Sequence, residues 1–534
     1  MKMTAFIALF CLYATAQDLQ PVREFVWTDL GFIRGQTDGV VDQFLGVPYA
    51  APPIGDLRWK APADAPRWTG VLDATKFGSP CVQAGPAIGG QAIVGSEDCL
   101  YLNVYRPAAA RPRDLLPVLM FIHGGSNQKG AGSDYDPSQM VAKTGIIVVT
   151  INYRLNVFGF LAHPSLDAEA GEPSSGNFGL LDQQAAMRWV RANILGFGWN
   201  PLNVTLDGES AGGIDICANL VSPQAAGLFK RAILESMYCP NATHDEALQV
   251  SAPVTTALGC ADLACMRAAA AADIFNAAGN LSGEPGGGNG FNASPNYGSS
   301  VLPMDPSRAL SAGQWNWSSI LIGSNHDEAA FWIAPALLAA KVKFPVSEQA
   351  YQAIVETQFG SFAPNVLSEY SIADYPSPFM RYADISTDDS PLGCSETPLS
   401  QSFAALTQTF RYEFNDPNAP TAGANVGLPS TLSLGADHGS ELQYLFKMTQ
   451  LPGPQTGAQK QLSDQMMLYW ANFARTGNPN GEGLPGWPRY DAANHQILSL
   501  RPDGSRILDT FDTDHHCAFW ATAPPSRGSG ITDY

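Results

Sequence analysis

The sequence predicts an α/β protein with one large, mostly parallel central sheet flanked by helices and long loop insertions. Two observations carry that prediction. Short apolar runs recur along the chain, and segments with helical apolar spacing lie between them. A third observation narrows it: no repeat of roughly 20–50 residues occurs, which disfavours solenoids and propellers.

The elements follow in order. Leu116 to Ile122 is a near-continuous apolar run ending at His123-Gly124-Gly125. Gly145 to Asn152 is a second run, and Asn203 to Asp207 a third, ending at Gly208. Phe229 to Ser236 and Ser318 to Gly323 supply two more. Strands read this way when helices cover both faces of their sheet. Asp182 to Ile194 carries Ala186, Trp189, Val190 and Ile194 at helical spacing. Gly279 to Gly298, rich in Gly, Asn, Ser and Pro, reads as a surface loop. The β/α pattern resumes at Val301 without a composition shift, so residues 17–534 read as one domain.

Composition excludes several classes. The 534 residues carry 30 Lys+Arg against 49 Asp+Glu, a net charge of −19. Nucleic-acid phosphates and anionic membrane surfaces would repel such a chain. With 45% hydrophobic residues it can bury a large core. Its 51 Gly and 40 Pro exceed the usual share of roughly 12% without the period of collagen. Lys2, the apolar run Met3 to Tyr13 and Ala14-Thr15-Ala16 read as a signal peptide over residues 1–16, leaving a secreted chain that starts at Gln17. No later run reaches the roughly 18 apolar residues of a membrane span. Nine Cys suit an oxidising compartment, and eight remain after Cys11 leaves. Glycosylation sequons stand at Asn203, Asn241, Asn280, Asn292 and Asn316. Asn203, just before a buried strand, and Asn292, close to Pro295, are the less suitable of these.

Gly208-Glu209-Ser210-Ala211-Gly212 matches G-x-S-x-G, with the strand Val204 to Asp207 before it and the helical segment Ala211 to Leu220 after it. A serine on such a sharp strand-to-helix turn exposes its hydroxyl at a helix N-terminus, where the dipole favours developing negative charge. This makes Ser210 a candidate nucleophile.

Further segments resemble the type-B carboxylesterases, the cholinesterase-like branch of the α/β-hydrolases. They span nearly all of the mature chain and include Phe44 to Arg58, Ser96 to Tyr105, Asn152-Tyr153-Arg154, Phe178 to Gln183, Gly323 to Glu328 and Cys517 to Trp520. The resemblance implies a secreted serine carboxylesterase that needs no cofactor and no metal, acting on small-molecule esters. Chain order Ser210, Glu328, His438 is that of an α/β-hydrolase triad. His438 stands where similar enzymes carry the base, and Glu328 where they carry the acid, with Asp327 its competitor. His163, His244 and His495 read as surface residues; His515 and His516 flank a disulfide position, and His326 is off the pattern. By the same resemblance, Gly124 lies in the oxyanion loop, and Gly125, Ser126 and Ala211 donate its N–H groups. Ser126 replaces a usual third glycine, and Asn127 replaces a usual aromatic; Gln128 and Lys129 follow. Glu209 resembles a buried acid that tunes the site, and Ser236 a supporting serine. Asp215, in the helix after the nucleophile, is unusual on a face expected to be buried.

The resemblance also implies structural pairs: disulfides Cys81–Cys99, Cys260–Cys265 and Cys394–Cys517, and ion pairs of Arg58 with Glu97 and Arg154 with Asp182. Cys217 and Cys239 are left as two thiols or a fourth bridge. The first Cys loop, Val82 to Asp98, lacks the Trp of cholinesterases and the length of a lipase lid. Asn127, Gln128 and Lys129 suggest an acyl group with polar or carboxylate character. The competing reading is a cholinesterase-like binding or adhesion protein with impaired catalysis, which the Ser126 departure alone supports.

Overall fold

The computed structural model describes residues 24–85, 92–111, 114–279, 291–420, 428–429, 431–449 and 451–524. The expected signal segment 1–16 and Asn280 lie outside them. Among the described residues, eleven strands form the central sheet. In chain order they are β1 (Gln36–Thr37), β2 (Val41–Pro48), β3 (Tyr101–Pro107), β4 (Leu116–Ile122), β5 (Ile147–Ile151) and β6 (Trp199–Glu209). They continue as β7 (Arg231–Glu235), β8 (Ser319–Asn325), β9 (Thr409–Phe414), β10 (Ile497–Leu500) and β11 (Arg506–Leu508). Their spatial order is β11-β10-β9-β8-β7-β6-β4-β5-β3-β2-β1. The run from β10 to β5 is parallel, and antiparallel strands close both edges.

The packing explains the apolar runs. On β4, Val118, Met120 and Ile122 face a core that includes Met187, Val190 and Ile216. The alternate residues Leu119 and Phe121 face a second core with Met466, Trp470 and Phe473. Side chains alternate across a strand, so a sheet covered on both faces needs apolar residues at every position. The covering helices are α1 (Phe178–Asn193) and α2 (Ala211–Val221) on the first face. Further along the chain lie α3 (Ala330–Ala339), α4 (Pro378–Asp388) and α5 (Gly457–Thr476), the last packing on the second face. A capping box of Thr456 and Gln459 starts α5.

The structure corrects several expectations. Strand β9 reads Thr-Phe-Arg-Tyr-Glu-Phe and is wholly buried, although its charges hide it from a hydropathy scan. Its Arg411 lies 3.2 Å from Glu396 and stacks on Phe511 at 4.0 Å, so the charge is compensated inside the fold. The far end of the expected surface loop is interior: Phe291 and Asn296 are buried, and the Asn296 amide donates to Gly176 O at 3.0 Å. His244 is buried as well, 2.8 Å from Asp167 and 3.0 Å from Asn296. The Asn316 amide donates to Asn219 O and Ser222 O, both at 2.9 Å, contacts a glycan there would disturb, while Asn241 is exposed.

Four disulfides join Cys81 to Cys99, Cys217 to Cys239, Cys260 to Cys265 and Cys394 to Cys517. Cys217 and Cys239 thus form a bridge between α2 and the segment after β7. Arg58 contacts Glu97 at 2.5 Å, and Arg154 contacts Asp182 at 2.7 Å with both side chains buried. Arg154→Met would leave the Asp182 carboxylate buried and unpaired. The expected outcome is a loss of about 3–5 kcal/mol in chemical denaturation; an unchanged midpoint would contradict a structural role for the pair.

Candidate active site

Strand β6 ends at Glu209 and helix α2 begins at Ala211. Ser210, between them, has φ 56° and ψ −125°, a conformation that costs energy in a non-glycine residue. The surroundings hold it there. Its N–H donates to Glu235 O on β7 at 2.9 Å, and its carbonyl accepts from Ile214 N at 3.0 Å. The turn also needs its glycines: a Cβ on Gly212 would fall 2.0 Å from Ile122 O at the end of β4. Gly124 is equally confined, since a Cβ there would lie 3.0 Å from the Ser210 Cβ. The serine hydroxyl therefore sits at the N-terminus of α2, at the carboxyl edge of the parallel strands.

The loop after β4 turns tightly beside it. Gly125, Ser126 and Asn127 all have positive φ, of 96°, 56° and 55°. The Gly125 carbonyl accepts from Gln128 N at 2.9 Å and Lys129 N at 3.1 Å. Among the described residues, no protein acceptor receives the N–H of Gly125, Ser126 or Ala211. Backbone donors in folded proteins are seldom left without a partner, so such a set is suited to an anionic oxygen.

His438 and Glu328 converge on the same edge. His438 Nδ1 lies 2.5 Å from Glu328 Oε2, and Glu328 is 0% exposed. The other oxygen, Oε1, accepts from Asn325 N at 2.8 Å, which fixes the carboxylate at the end of β8. Asp327 is committed elsewhere: it accepts from Ala436 N at 2.8 Å and contacts His326 at 3.1 Å. On the other side of the ring, His438 Nε2 is 3.1 Å from Glu209 Oε1. Among the described residues, no hydrogen bond joins Ser210 Oγ to His438. Catalytic hydrogen bonds commonly tighten only in the substrate complex.

The electrostatics follow from burial and these carboxylates. Burial opposes a charge on His438, but Glu209 and Glu328 outweigh it and raise the imidazole pKa to about 10. Burial raises Glu209 to about 7, against the pull of His438. A carboxylate and an imidazole therefore compete for one proton next to the serine.

The polar loop departs from the sequence reading. Asn127 is 2% exposed and faces inward, not into a substrate pocket. Its amide donates to Asp215 Oδ1 at 3.1 Å, and its carbonyl oxygen lies 3.0 Å from the Tyr153 hydroxyl. Asp215 is bonded to Gln183 as well. Two oddities of the sequence thus explain each other: a buried aspartate in α2 needs a donor, and Asn127 supplies it. Burial raises Asp215 to about 7 despite both amides. The Gln128 amide donates to Phe291 O, and only Ser126 and Lys129 of this loop are exposed. Ser236 is buried next to Glu235, and its hydroxyl has no hydrogen-bond partner among the described residues. Sequence reasoning missed Phe331 and Trp332 on α3, whose rings lie 6.0 and 5.5 Å from the His438 ring. Their position just after Glu328 was the available signal.

Strand order and the serine turn at the carboxyl edge make this protein an α/β-hydrolase. The chain belongs to the carboxylesterase family, whose model matches residues 23–520, and it is a carboxylic-ester hydrolase. Para-nitrobenzyl esterase of Bacillus subtilis (strain 168) is 35% identical over 89% of this chain and 94% of its own. Cocaine esterase of Oryctolagus cuniculus is 33% identical over 95% of this chain and 96% of its own. A solved PNB esterase aligns with TM-score 0.75 at 33% identity, covering 93% of this chain and 99% of that one. Among the described residues, no helix is long and apolar enough to cross a membrane. Four disulfides fit an extracellular or secretory setting.

A base must be neutral to accept a proton, so if His438 is the base, the acid limb of kcat/KM reports loss of its proton. Glu209→Gln removes one of the two carboxylates that hold that proton. The acid limb should move to lower pH; a limb that stays in place would show that Glu209 does not set the charge of His438.

Proposed function

We propose that the protein is a secreted serine esterase working through an acyl-enzyme. Ser210 attacks the ester carbonyl, and His438 takes its proton and then delivers it to the leaving alcohol. Glu328 orients the ring and stabilises the imidazolium. The N–H groups of Gly125, Ser126 and Ala211 bind the tetrahedral oxyanion, and water, activated by the same histidine, then releases the acid. The observation that carries this reading is the 2.5 Å contact between His438 and buried Glu328 on the edge that presents Ser210. Chemistry supports it: an imidazole held by a carboxylate on one nitrogen is the usual activator of a serine at a helix N-terminus. Cleavage after Ala16 would deliver residues 17–534, one catalytic domain, to the oxidising space that its disulfides suit.

Lys129 gives the proposal its substrate preference. It is exposed on the turn that carries the N–H donors, and among the described residues it has no ion-pair partner. A carboxylate on the acyl half of an ester would gain from that charge. The gain should be modest and salt-sensitive, because the lysine is solvated.

Two experiments test these statements. With p-nitrophenyl acetate, the protein should give a burst of one acyl group per chain, and Ser210→Ala should lower kcat by roughly 10^4-fold or more. A folded protein without burst or turnover would favour the non-catalytic binding reading. Separately, Lys129→Ala should lower kcat/KM for esters with a carboxylate-bearing acyl half several-fold more than for neutral ones. An unchanged ratio would remove the proposed preference.

A further inference from the structure

Two residues before Glu328, the same turn opens a second polar cluster that the proposed reaction does not use. His326 and Asp327 come from that turn, Asp384 and Asp388 from α4, Glu413 from β9, and His515 from the segment bridged by Cys517 to Cys394. His515 Nδ1 lies 2.6 Å from Asp388 Oδ1, and its Nε2 lies 3.0 Å from Glu413 Oε1. His326 Nδ1 lies 3.1 Å from Asp327 Oδ1, and the two imidazole rings are 5.2 Å apart. One donor atom each from His326, Glu413 and His515 falls within 4.8 Å of the others. The same holds for His326, Asp327 and Asp384.

We infer that His326, His515 and Glu413 form a binding site for one divalent metal ion of the zinc class. The donor set is two imidazoles and a carboxylate, the chemistry that zinc and its neighbours prefer over magnesium or calcium. Each imidazole turns its Nδ1 to an aspartate, Asp327 or Asp388. That is the carboxylate–histidine–metal arrangement, which fixes the ring and directs Nε2 at the ion. Among the described residues, His326 Nε2 has no hydrogen bond. Asp384 Oδ1 is buried without a hydrogen-bond partner and stands close to His326, where it suits an ion or its bound water. The His326 side chain is 28% exposed, which gives a metal a way in and a water a fourth position. No motif announces the site, because its donors are spread from residue 326 to residue 515.

A metal here would tie the turn that bears Glu328 to α4, β9 and the C-terminal disulfide. The test is zinc binding by the full-length mature protein after EDTA dialysis, read by calorimetry and elemental analysis. One zinc per chain is expected, with visible absorption bands when cobalt is substituted. His515→Gln and His326→Gln should each abolish stoichiometric binding. Asp388→Asn should weaken it roughly 10- to 100-fold, as for other carboxylates that orient a metal-bound imidazole. His438→Gln should keep the zinc, which separates this site from the base and Glu209. If His515→Gln fails to fold, the partly exposed His326→Gln decides. Wild-type protein that binds no stoichiometric zinc overturns the inference. So does zinc retained by folded His326→Gln, or zinc lost in His438→Gln.

Discussion

The buried contact between His438 and Glu328 is the interaction on which the rest of the site depends. His438 sits on a loop, and a loop alone does not hold an imidazole to within a fraction of an ångström. Glu328 does, because it is itself fixed at both oxygens, by His438 and by the Asn325 amide at the end of β8. Asn325 also donates from its side chain to Asp437 O at 2.7 Å and to Glu441, tying the histidine loop to the same strand end. The parallel sheet places that strand end two strands from the Ser210 turn. Sheet order, loop tether and acid thus act as one constraint.

Such a site carries an electrostatic risk. Too many ionised carboxylates around His438 would hold its proton so firmly that it could not act as a base. Burial answers part of this. It raises Glu441, which also feels Glu209 and Glu235, well above the usual carboxylate range, and raises Glu235, next to Asp207, likewise. Asp207 is raised to about 7 by the same burial. Burial thus disfavours the charged forms of Glu441 and Glu235, and Glu209 and Glu328 are the larger sources of the field at His438. In the proposed reaction, the imidazolium that develops in the transition state would be stabilised by Glu209 and Glu328.

The legible parts of the sequence were local. The runs at β4, β5, β7 and β8 were readable because both faces of a parallel sheet demand apolar residues, and the G-x-S-x-G turn because close backbone approach demands glycine. Strand β9 was not, because the charges of Arg411 and Glu413 are met by residues outside the strand, Glu396 and the distant His515. For the same reason Asn127 looked like a pocket residue and Asp215 like an anomaly, although each is the other's hydrogen-bond partner. The His326–His515 cluster is a further case, its two rings 189 positions apart in sequence and 5.2 Å apart in space. Pairings between distant polar residues leave no periodicity to read; only the folded chain displays them.

The central claim is that two carboxylates hold and charge His438. Its most direct test is the titration of the His438 ring by NMR in the wild type and in Glu328→Gln. The account predicts a far-downfield Nδ1 proton in the wild type and a ring pKa well above that of a free histidine. Both should be lost or sharply reduced in the variant. A His438 ring that titrates like a free histidine, or one indifferent to the loss of Glu328, would contradict it.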